Sequence, residues 1–296
     1  MRLLLFATIA SLASTTVALD NGLARLPPMG WRSWEAFYGD VDETKMMATM
    51  KALTSRSRGV DRKSGSHCAV GSSSTCEPTS LADVGFIDAG LDAGFEDCGA
   101  RKVGGKPAFH DEDGRPLVDK HKFPSGLKAM VDSGHAMNLT VSWYGNACAC
   151  KSENSYTAST TPTIAQAIAG TVASTVEFGF DGLKLDSCSQ FNNMSQWAAE
   201  LNATGKAVLL ENCHQGGLVP GQRMPGQGLC QGRGPGASDC PYHVFRTSDD
   251  IYNTWIHVVN NANSVTPYLT QADASLPPRS RPGGWAYPDV SDSDVL

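Results

Sequence analysis

The sequence predicts an α/β fold around a parallel sheet, which is either closed into a barrel or doubly wound. Short apolar segments that suit buried strands alternate with stretches of helical periodicity, and no fixed-period repeat interrupts the series. The 296 residues, 41% of them hydrophobic and 18% charged, suffice for one large core. Acidic residues follow several of the predicted strands, at the sheet edge where barrel enzymes carry their chemistry.

Seven segments are candidates for the strands, and the seventh is the weakest of them. Each is a short apolar run, as expected of strands that are buried in a parallel sheet. In chain order they are residues 29–31, 84–91, 139–144, 182–185, 207–210, 244–247 and 285–287.

Helical patterns fill the intervals between these strands. Asp42 can cap a helix that starts at Glu43, because its carboxylate accepts backbone N–H groups and suits the positive end of the helix. Residues 162–178 predict a second helix with an apolar face that repeats every four residues. That face comprises Ile164, Ile168, Val172 and Val176. Two further helices are predicted in residues 125–137 and 195–201.

The first 18 residues are typical of a signal peptide. Arg2 supplies a positive charge, residues 3–10 form a short apolar core, and the small residues 16–18 suit signal peptidase. A buried N-terminal helix is the alternative. We assign residues 1–18 to a signal peptide and residues 19–296 to one domain, and we expect a protein that is secreted or in the endomembrane lumen. No later stretch has the roughly 18 apolar residues of a membrane span.

Cysteine use agrees with an oxidising compartment, in which most of the nine cysteines should pair and the odd number leaves at least one over. Cys148 and Cys150 are too close for a common bridge to each other, so we expect each to bond elsewhere. No CxxC pair has a matching second pair, and a zinc site is therefore not expected. Sequons at Asn138, Asn193 and Asn202 predict glycosylation in such a compartment.

Two irregular regions interrupt the alternation of strands and helices. Residues 55–80 are rich in Ser, Gly, Arg and Lys and contain two cysteines. Two interpretations of that region are equally good. It is either a stapled loop, meaning a loop that is cross-linked by a disulfide, or a disordered surface insertion. Residues 215–241, which are rich in Gly and Pro and also contain two cysteines, are predicted to be a stapled loop.

Several function classes are disfavoured. The net charge of -6 provides no basic footprint for nucleic acid. The motifs GxSxG and HExxH are absent, and the glycine-rich residues 216–236 lack the Lys-Ser/Thr ending of a phosphate-binding loop. A Cys213–His214 dyad is conceivable, but in a secreted protein we expect Cys213 to be in a disulfide.

Carboxylates follow the predicted strands repeatedly. They are Asp92 after the second strand, Asp186 after the fourth, Glu211 after the fifth, Asp249 and Asp250 after the sixth, and Asp289 after the seventh. A single acid in such a place commonly caps the next helix, but several in register favour a shared acidic mouth. Two carboxyls that flank one bond are what glycoside hydrolysis requires.

Two basic residues are placed to tune these acids. Lys184 lies two residues before Asp186, on the same face of the strand, where its ammonium should lower the pKa of that carboxyl. Arg246 has the same relation to Ser248 and Asp250, although a surface ion pair is the alternative.

Aromatic residues also lie near the strand ends. They are Trp31, Trp34, Trp143 and Tyr144. Core packing is the ordinary role of such side chains. The C–H face of a sugar ring packs on an aromatic ring, which makes Trp34 or Trp143 a candidate sugar contact.

Several motifs together resemble the α-galactosidases of glycoside hydrolase family 27. Residues 19–31 resemble the opening of the mature family sequence, and residues 123–128 the segment before its third strand. Residues 181–188, DGLKLDSC, resemble the nucleophile motif. Residues 246–251 with Trp255 resemble the acid/base motif, and residues 282–289 the seventh-strand motif.

This resemblance implies a (β/α)8 barrel of the TIM type and a retaining mechanism without metal or cofactor, acting on a terminal α-galactoside. It implies Asp186 as nucleophile and Asp250 as general acid/base. The implied sugar contacts are Trp34, Asp92, Tyr144, Lys184, Glu211 and Arg246. It also implies a disulfide from Cys188 to Cys148 or Cys150.

The sequence departs from the family pattern in three places. Residues 92–95, DAGF, lack one acid of the second-strand motif, and Ala286-Tyr287 stands where Asn-Asp is usual. The chain ends at Leu296, so we expect a barrel without its eighth strand or a C-terminal β domain. α-N-acetylgalactosaminidase, β-L-arabinopyranosidase and an inactive galactose-binding fragment are the alternatives, and Glu211 favours galactose over its N-acetyl derivative.

Overall fold

The computed structural model describes residues 19, 21–146, 148, 150, 156–186, 191, 193–213, 241–252, 254–269 and 280–289. The strands are β1 Gly30–Arg32, β2 Arg58–Asp61, β3 His67–Cys68, β4 Cys76–Thr79, β5 Asp88–Gly90, β6 Arg101–Val103, β7 Lys106–Ala108, β8 Thr140–Tyr144, β9 Gly182–Asp186, β10 Leu209–Cys213, β11 Val244–Arg246 and β12 Trp285–Tyr287. The helices are α1 Trp34–Phe37, α2 Glu43–Thr54, α3 Leu127–Ala136, α4 Ile164–Phe178, α5 Met194–Thr204, α6 Trp255–Ser264 and α7 Thr266–Leu269, with 3-10 turns at Tyr38–Asp40 and Ala82–Val84. None of these helices is long and apolar enough to cross a membrane.

A seven-stranded sheet forms the centre of the molecule, and all its pairings are parallel. Its order is β1, β5, β8, β9, β10, β11, β12, and helices lie in each connection except that from β10 to β11, where residues 214–240 are outside those described. A doubly wound sheet would reverse its strand order, so this sequential order confirms an α/β fold of the barrel type. Among the described strands, β1 and β12 stand at the two ends of the sheet.

Two strands begin two or more residues later than the apolar runs predicted. The segment 84–91 contributes only β5, because Ala82–Val84 is a 3-10 turn and Gly85 reverses the chain with a φ of 104°. A positive φ of this size suits glycine, which has no Cβ to clash. The run 207–210 overlaps only the first two residues of β10, which begins at Leu209 and continues to Cys213.

Helix α2 begins as its sequence predicts, since the side chain of Asp42 accepts the N–H of Lys45 at 2.8 Å. Helix α4 is also where it was expected, but its buried face differs. Ile168 and Val172 are buried, whereas Val176 is 37% exposed and Thr175 is buried in its place. The hydroxyl of Thr175 accepts the indole N–H of a core tryptophan on β8 at 3.1 Å, which draws this side of the helix inward.

The region 55–80 is a stapled element. Strands β2, β3 and β4 form a small antiparallel sheet in the order β3, β2, β4. A disulfide joins Cys68 to Cys76 across this sheet. The stapled interpretation is therefore correct for this region, and the corresponding prediction for residues 215–241 falls almost entirely outside the described residues.

The other cysteines remove one alternative for Cys188 and correct the expectation for Cys213. Cys150 is bonded to Cys98, so it is not the partner of Cys188. Cys148 is also disulfide-bonded, and because Cys188 lies outside the described residues, that pairing stays a prediction. Cys213 was expected in a bridge but is a buried free thiol, because β10 carries it into the sheet in register with Asp186.

The three sequon asparagines are exposed, as glycosylation requires. Asn138 follows α3, Asn202 lies in the last turn of α5, and Asn193 caps that helix by accepting the N–H of Gln196 at 3.2 Å. Glycosylation itself stays a prediction. Residues 1–18, the predicted signal peptide, lie outside the described residues.

Candidate active site

The carboxyl ends of the parallel strands gather most of the predicted site residues at one edge of the sheet. Tyr144, Lys184 and Glu211 are register neighbours on β8, β9 and β10, so their side chains share one face. Asp186 lies two residues beyond Lys184 on that face. Arg246 is the last residue of β11.

Lys184 pairs with a different acid from the one its sequence neighbourhood predicted. Its ammonium lies 2.7 Å from Oδ2 of Asp92, and both side chains are buried. Burial alone would lower the pKa of Lys184, but the neighbouring negative charges, that of Asp92 foremost, together outweigh burial and raise that pKa. Burial would likewise raise the pKa of Asp92, yet the Lys184 and Arg32 charges bring it below its ordinary value. This carboxyl is therefore ionised and cation-bound.

The backbone around Asp92 is fixed by two further bonds. The hydroxyl oxygen of Ser33 accepts the N–H of Asp92 at 2.9 Å, and Oδ1 of Asp92 accepts the N–H of Ala93 at 2.8 Å. Ser33 follows β1 directly and is fully buried. The position of Asp92 thus depends on β1 as well as on β5.

Asp186 is held at the end of β9 by a side chain that sequence reasoning did not identify. Oδ1 of Asn146 accepts the N–H of Asp186 at 2.6 Å, and Nδ2 of Asn146 donates to its carbonyl at 3.0 Å. The hydroxyl of Tyr144 donates to Oδ2 of Asp186 at 3.2 Å. Burial raises the pKa of Tyr144 well above its usual value, and Asp186 adds to the rise, so the tyrosine stays a neutral donor.

A second group of charges lies where β11 and β12 end. Arg246 donates to Oδ1 of Asp250 and lies 3.4 Å from Oδ2 of Asp289. The side chain of Arg246 is only 11% exposed while that of Asp250 is 42% exposed, so the pair joins a buried arginine to a carboxylate that solvent reaches. Strand β11 ends at Arg246, and strand alternation therefore does not extend to Asp250; the loop makes the contact instead. Asp249 is exposed.

Glu35 on α1 joins this group and was missed from the sequence. Burial raises its pKa to about 7, with contributions from the nearby charges of Asp250 and Asp289. The hydroxyl of Tyr38 donates to Oε2 of Glu35 at 3.5 Å. This part of the candidate active site therefore contains a carboxyl, that of Glu35, which holds a proton up to neutral pH.

Glu211 has two partners that sequence reasoning also missed. Nη2 of Arg32 lies 2.5 Å from its Oε2, and the hydroxyl of Tyr287 donates to its Oε1. Arg32 and Tyr287 are the last residues of β1 and β12. The only sequence indication for Arg32 was its place directly after a predicted strand, whereas Tyr287 also stood out as a departure from the family motif.

The aromatic candidates divide into residues that belong to the core and residues that are available to the site. Trp143 is fully buried, stacks on Phe180 with ring centroids 4.6 Å apart, and belongs to the core. It points away from Tyr144, which follows it on β8 and faces the site. Trp31 is buried as well, whereas Trp34 is half-buried on α1 with its ring 5.5 Å from that of Tyr38. Trp34 is therefore the remaining candidate for a sugar contact.

Cys213 lies on the same face as Asp186 and does not suit nucleophilic catalysis. Burial raises the pKa of its thiol far above the usual value, despite the opposing charge of Lys184. Such a thiol stays protonated and is a poor nucleophile. His214, its proposed partner, lies outside the described residues.

Comparison with known families identifies one that covers most of the chain. The family of alpha galactosidase A matches residues 79–292. An α-N-acetylgalactosaminidase of Gallus gallus is 29% identical over 288 residues, which make up 92% of this chain and 58% of that protein. Alpha-galactosidase 3 of Arabidopsis thaliana is 26% identical over 277 residues, covering 92% of this chain and 49% of the relative. The chain thus spans about half the length of these relatives.

Solved structures share the fold at low sequence identity. An α-galactosidase of Saccharomyces cerevisiae with raffinose has a TM-score of 0.58 at 18% identity, covering 92% of this chain and 54% of that one. A β-L-arabinopyranosidase of Geobacillus stearothermophilus in complex with arabinose also has a TM-score of 0.58, at 14% identity, covering 89% of this chain and 61% of that one. These likenesses agree with the barrel-type topology of the sheet.

Proposed function

Because the chain belongs to the alpha galactosidase A family, we propose that it is a retaining glycoside hydrolase that releases terminal α-D-galactose. Asp186 is the nucleophile and Asp250 the general acid/base. In the first step Asp186 forms a bond to the anomeric carbon while the glycosidic bond breaks and Asp250 protonates the leaving oxygen. In the second step Asp250 removes a proton from water, which attacks the same carbon and releases Asp186.

The setting of Asp186 is the observation that carries this proposal. Its backbone is held by both ends of the Asn146 amide, and Tyr144 donates to one carboxylate oxygen. A nucleophile needs such fixed geometry, because attack requires the carboxylate close to and in line with the bond that breaks. Asp186 also lies at the carboxyl end of a barrel strand, where this architecture places catalytic groups.

The sugar would contact the groups around this carboxylate. We propose Asp92, Lys184, Glu211 and Arg246 as partners for its hydroxyls and Trp34 as its stacking surface. The cations and carboxylates are already paired with each other, so little reorganisation is needed when hydroxyls add to them. The family resemblance assigns Glu211 to the sugar. The presence of Glu211 at this position favours galactose over the N-acetyl derivative of galactose.

N-acetylgalactosamine and arabinose are second candidates for the sugar, because similar proteins are named as enzymes that act on them. These are the substrates of the α-N-acetylgalactosaminidase and the β-L-arabinopyranosidase described above. Aryl glycosides of the three sugars, compared by kcat/KM, would rank them. We expect the α-galactoside to lead, and a preference for either other sugar would replace that assignment.

We also propose that the protein is exported, with residues 1–18 as its signal peptide and glycans at Asn138, Asn193 and Asn202. Two disulfides between described cysteines and the exposure of all three asparagines support export.

Loss of the nucleophile provides the decisive test. Asp186→Ala should lose turnover of an aryl α-galactoside, and added azide should restore it with formation of the β-galactosyl azide. The product inverts because azide replaces the carboxylate in the first step and no second displacement follows. Asp132→Ala, which removes an exposed carboxylate of α3, should leave turnover unchanged. Full activity of Asp186→Ala, or no turnover by the parent protein, would refute the proposal.

A further inference from the structure

A set of five charged groups forms the floor of the site, on the face shared by the neighbouring strands. The carboxyls are Asp88, Asp92 and Glu211, and the cations are Arg32 and Lys184. Lys184 is bonded to Asp92, as described above. Asp88 accepts hydroxyl hydrogen bonds from Thr140 at 3.0 Å and Ser142 at 2.6 Å.

Arg32 is the cation that connects these acids. Its Nη2 lies 2.5 Å from Oε2 of Glu211, and its Nε lies 4.0 Å from Oδ2 of Asp92. Without Arg32, three carboxyls would share the single ammonium of Lys184. Carboxylates crowded in this way cannot all stay ionised in a buried site.

We infer that Arg32 is a positioning residue of this site, which fixes Glu211 in the floor and keeps Asp92 ionised to accept hydrogen bonds from a sugar. The inference depends on the proposed function for the identity of the sugar. The charge balance between Arg32 and the carboxyls is independent of it.

The titration behaviour of the floor agrees with this role. Burial alone would lower the pKa of Arg32, but Glu211, Asp92 and Asp88 together raise it above its ordinary value. Burial raises the pKa of Asp88, and the Arg32 charge is the largest effect that opposes the rise. Further titratable groups surround the floor, namely Glu35, Glu96, Tyr144, Asp186, Cys213, Arg246, Tyr287 and Asp289.

Gly90 makes room for this guanidinium. It is the register partner of Arg32, and a Cβ at Gly90 would lie 3.1 Å from Cζ of Arg32. An alanine there would shift the guanidinium by a few tenths of an ångström without removing its charge, and it would press equally on the carbonyl oxygen of Trp31 at 3.1 Å. A lysine in place of Arg32 would keep a charge but lose the planar fork that reaches two carboxylates.

The titration of Asp92 tests the inference directly. Aspartate labelled with 13C at the carboxyl carbon would report it, and the resonance of Asp92 is identified by its loss in Asp92→Asn. In Arg32→Met the titration midpoint of Asp92 should rise by at least about one pH unit. In Arg32→Lys, which keeps a positive charge, the midpoint should return most of the way to the value of the parent protein. Gly90→Ala should give a smaller rise, and it carries the test if Arg32→Met does not fold.

Galactose affinity, measured by calorimetry against pH, provides the second readout. Arg32→Met should bind galactose about fivefold more weakly than the parent at pH 4, where the raised midpoint leaves Asp92 largely protonated, and should recover part of the loss at pH 7. A residue with a merely structural role would lower the melting temperature and leave the Asp92 midpoint where it is. An unchanged midpoint in both Arg32→Met and Gly90→Ala would overturn the inference. If the parent protein bound no galactose while the midpoint shifted, the proposed function would fail and the role of Arg32 would stand.

Discussion

Two adjacent aspartates follow β11, and their surroundings differ. Asp250 accepts from Arg246, and its side chain is 42% exposed beside Glu35 and Asp289. Asp249 is exposed, and it is its backbone carbonyl that accepts the side chain of Asn261 at 3.0 Å. Contact with solvent and with other carboxyls suits a group that must take up and release protons, which favours Asp250 as the acid/base.

Leaving-group dependence should separate the two residues. Asp250→Ala should slow hydrolysis of a disaccharide by about 100-fold or more, because its leaving oxygen needs a proton. Hydrolysis of a dinitrophenyl α-galactoside should slow far less in its first step, since that leaving group departs without protonation. Asp249→Asn is the matched control and should change neither rate appreciably. The opposite pattern would make Asp249 the acid.

Helix α4 packs against the turn before Arg115 through two glycines. A Cβ at Gly170 would lie 2.2 Å from the carbonyl carbon of Gly114, and a Cβ at Gly114 would lie 2.1 Å from the carbonyl oxygen of Gln166. Gly114 also has a φ of 79°, which side chains rarely adopt. The helix can approach this closely only because both positions lack side chains.

Gly170→Ala therefore tests whether packing or helix propensity dominates here. Propensity alone predicts a gain of about 1 kcal/mol in the free energy of unfolding. The backbone contact predicts a loss of about 3 kcal/mol, because neither backbone can move aside cheaply. We expect the loss, measured by denaturant unfolding. Gly39→Ala is the control, because a Cβ there meets nothing within 4 Å, and an equal loss there would remove the packing argument.

The stability of the whole molecule should depend on pH through two buried groups with opposite effects. Glu96 accepts the N–H of Gly94 at 2.6 Å, and burial raises its pKa to about 7. His110 lies between Tyr156 at 2.8 Å and Thr171 at 3.1 Å, and burial lowers its pKa to about 3. Each pKa difference between the folded and unfolded chain changes the free energy of unfolding.

The two signs follow from proton uptake. The unfolded chain loses the Glu96 proton near pH 4.5 and the folded chain near pH 7, so this group makes stability fall as pH rises between these values. The unfolded chain gains the His110 proton near pH 6.5 and the folded chain only near pH 3, so this group makes stability fall as pH drops between those values. The two slopes oppose each other over the interval they share.

Glu96→Gln should isolate the first effect. At pH 8 this variant should be more stable than the parent by roughly 3 kcal/mol, because it no longer buries a charge. At pH 4 the two proteins should be about equally stable, since Glu96 is then protonated in both states. Glu177→Gln, which alters an exposed glutamate of α4, should follow the parent at both values. Parallel pH curves for Glu96→Gln and the parent would contradict the shifted pKa.

Local patterns were sufficient to predict most of the strands, helices α2 to α5, and the acids at the strand ends. Apolar runs and caps such as Asp42 act over a few residues, so the sequence contains that information directly. The gathering of Asp92, Asp186 and Glu211 at one edge also follows, because parallel strands must all end on the same side of the sheet. Their proposed roles came from the family resemblance and not from these patterns.

Tertiary structure alone decided how the charges of the floor pair, whereas the spacing of Arg246 and Asp250 already indicated their contact. Lys184 has Asp186 two residues away on its own strand, yet it is bonded to Asp92, 92 residues distant in the chain. Glu211 is held by Arg32 and Tyr287, which are separated from it by 179 and 76 residues. Strand alternation determines only the face on which a side chain lies. Its partner depends on which strands become neighbours and on where space is left, as at Gly90 beside Arg32. Those distances are set when the sheet assembles, and no local sequence pattern contains them.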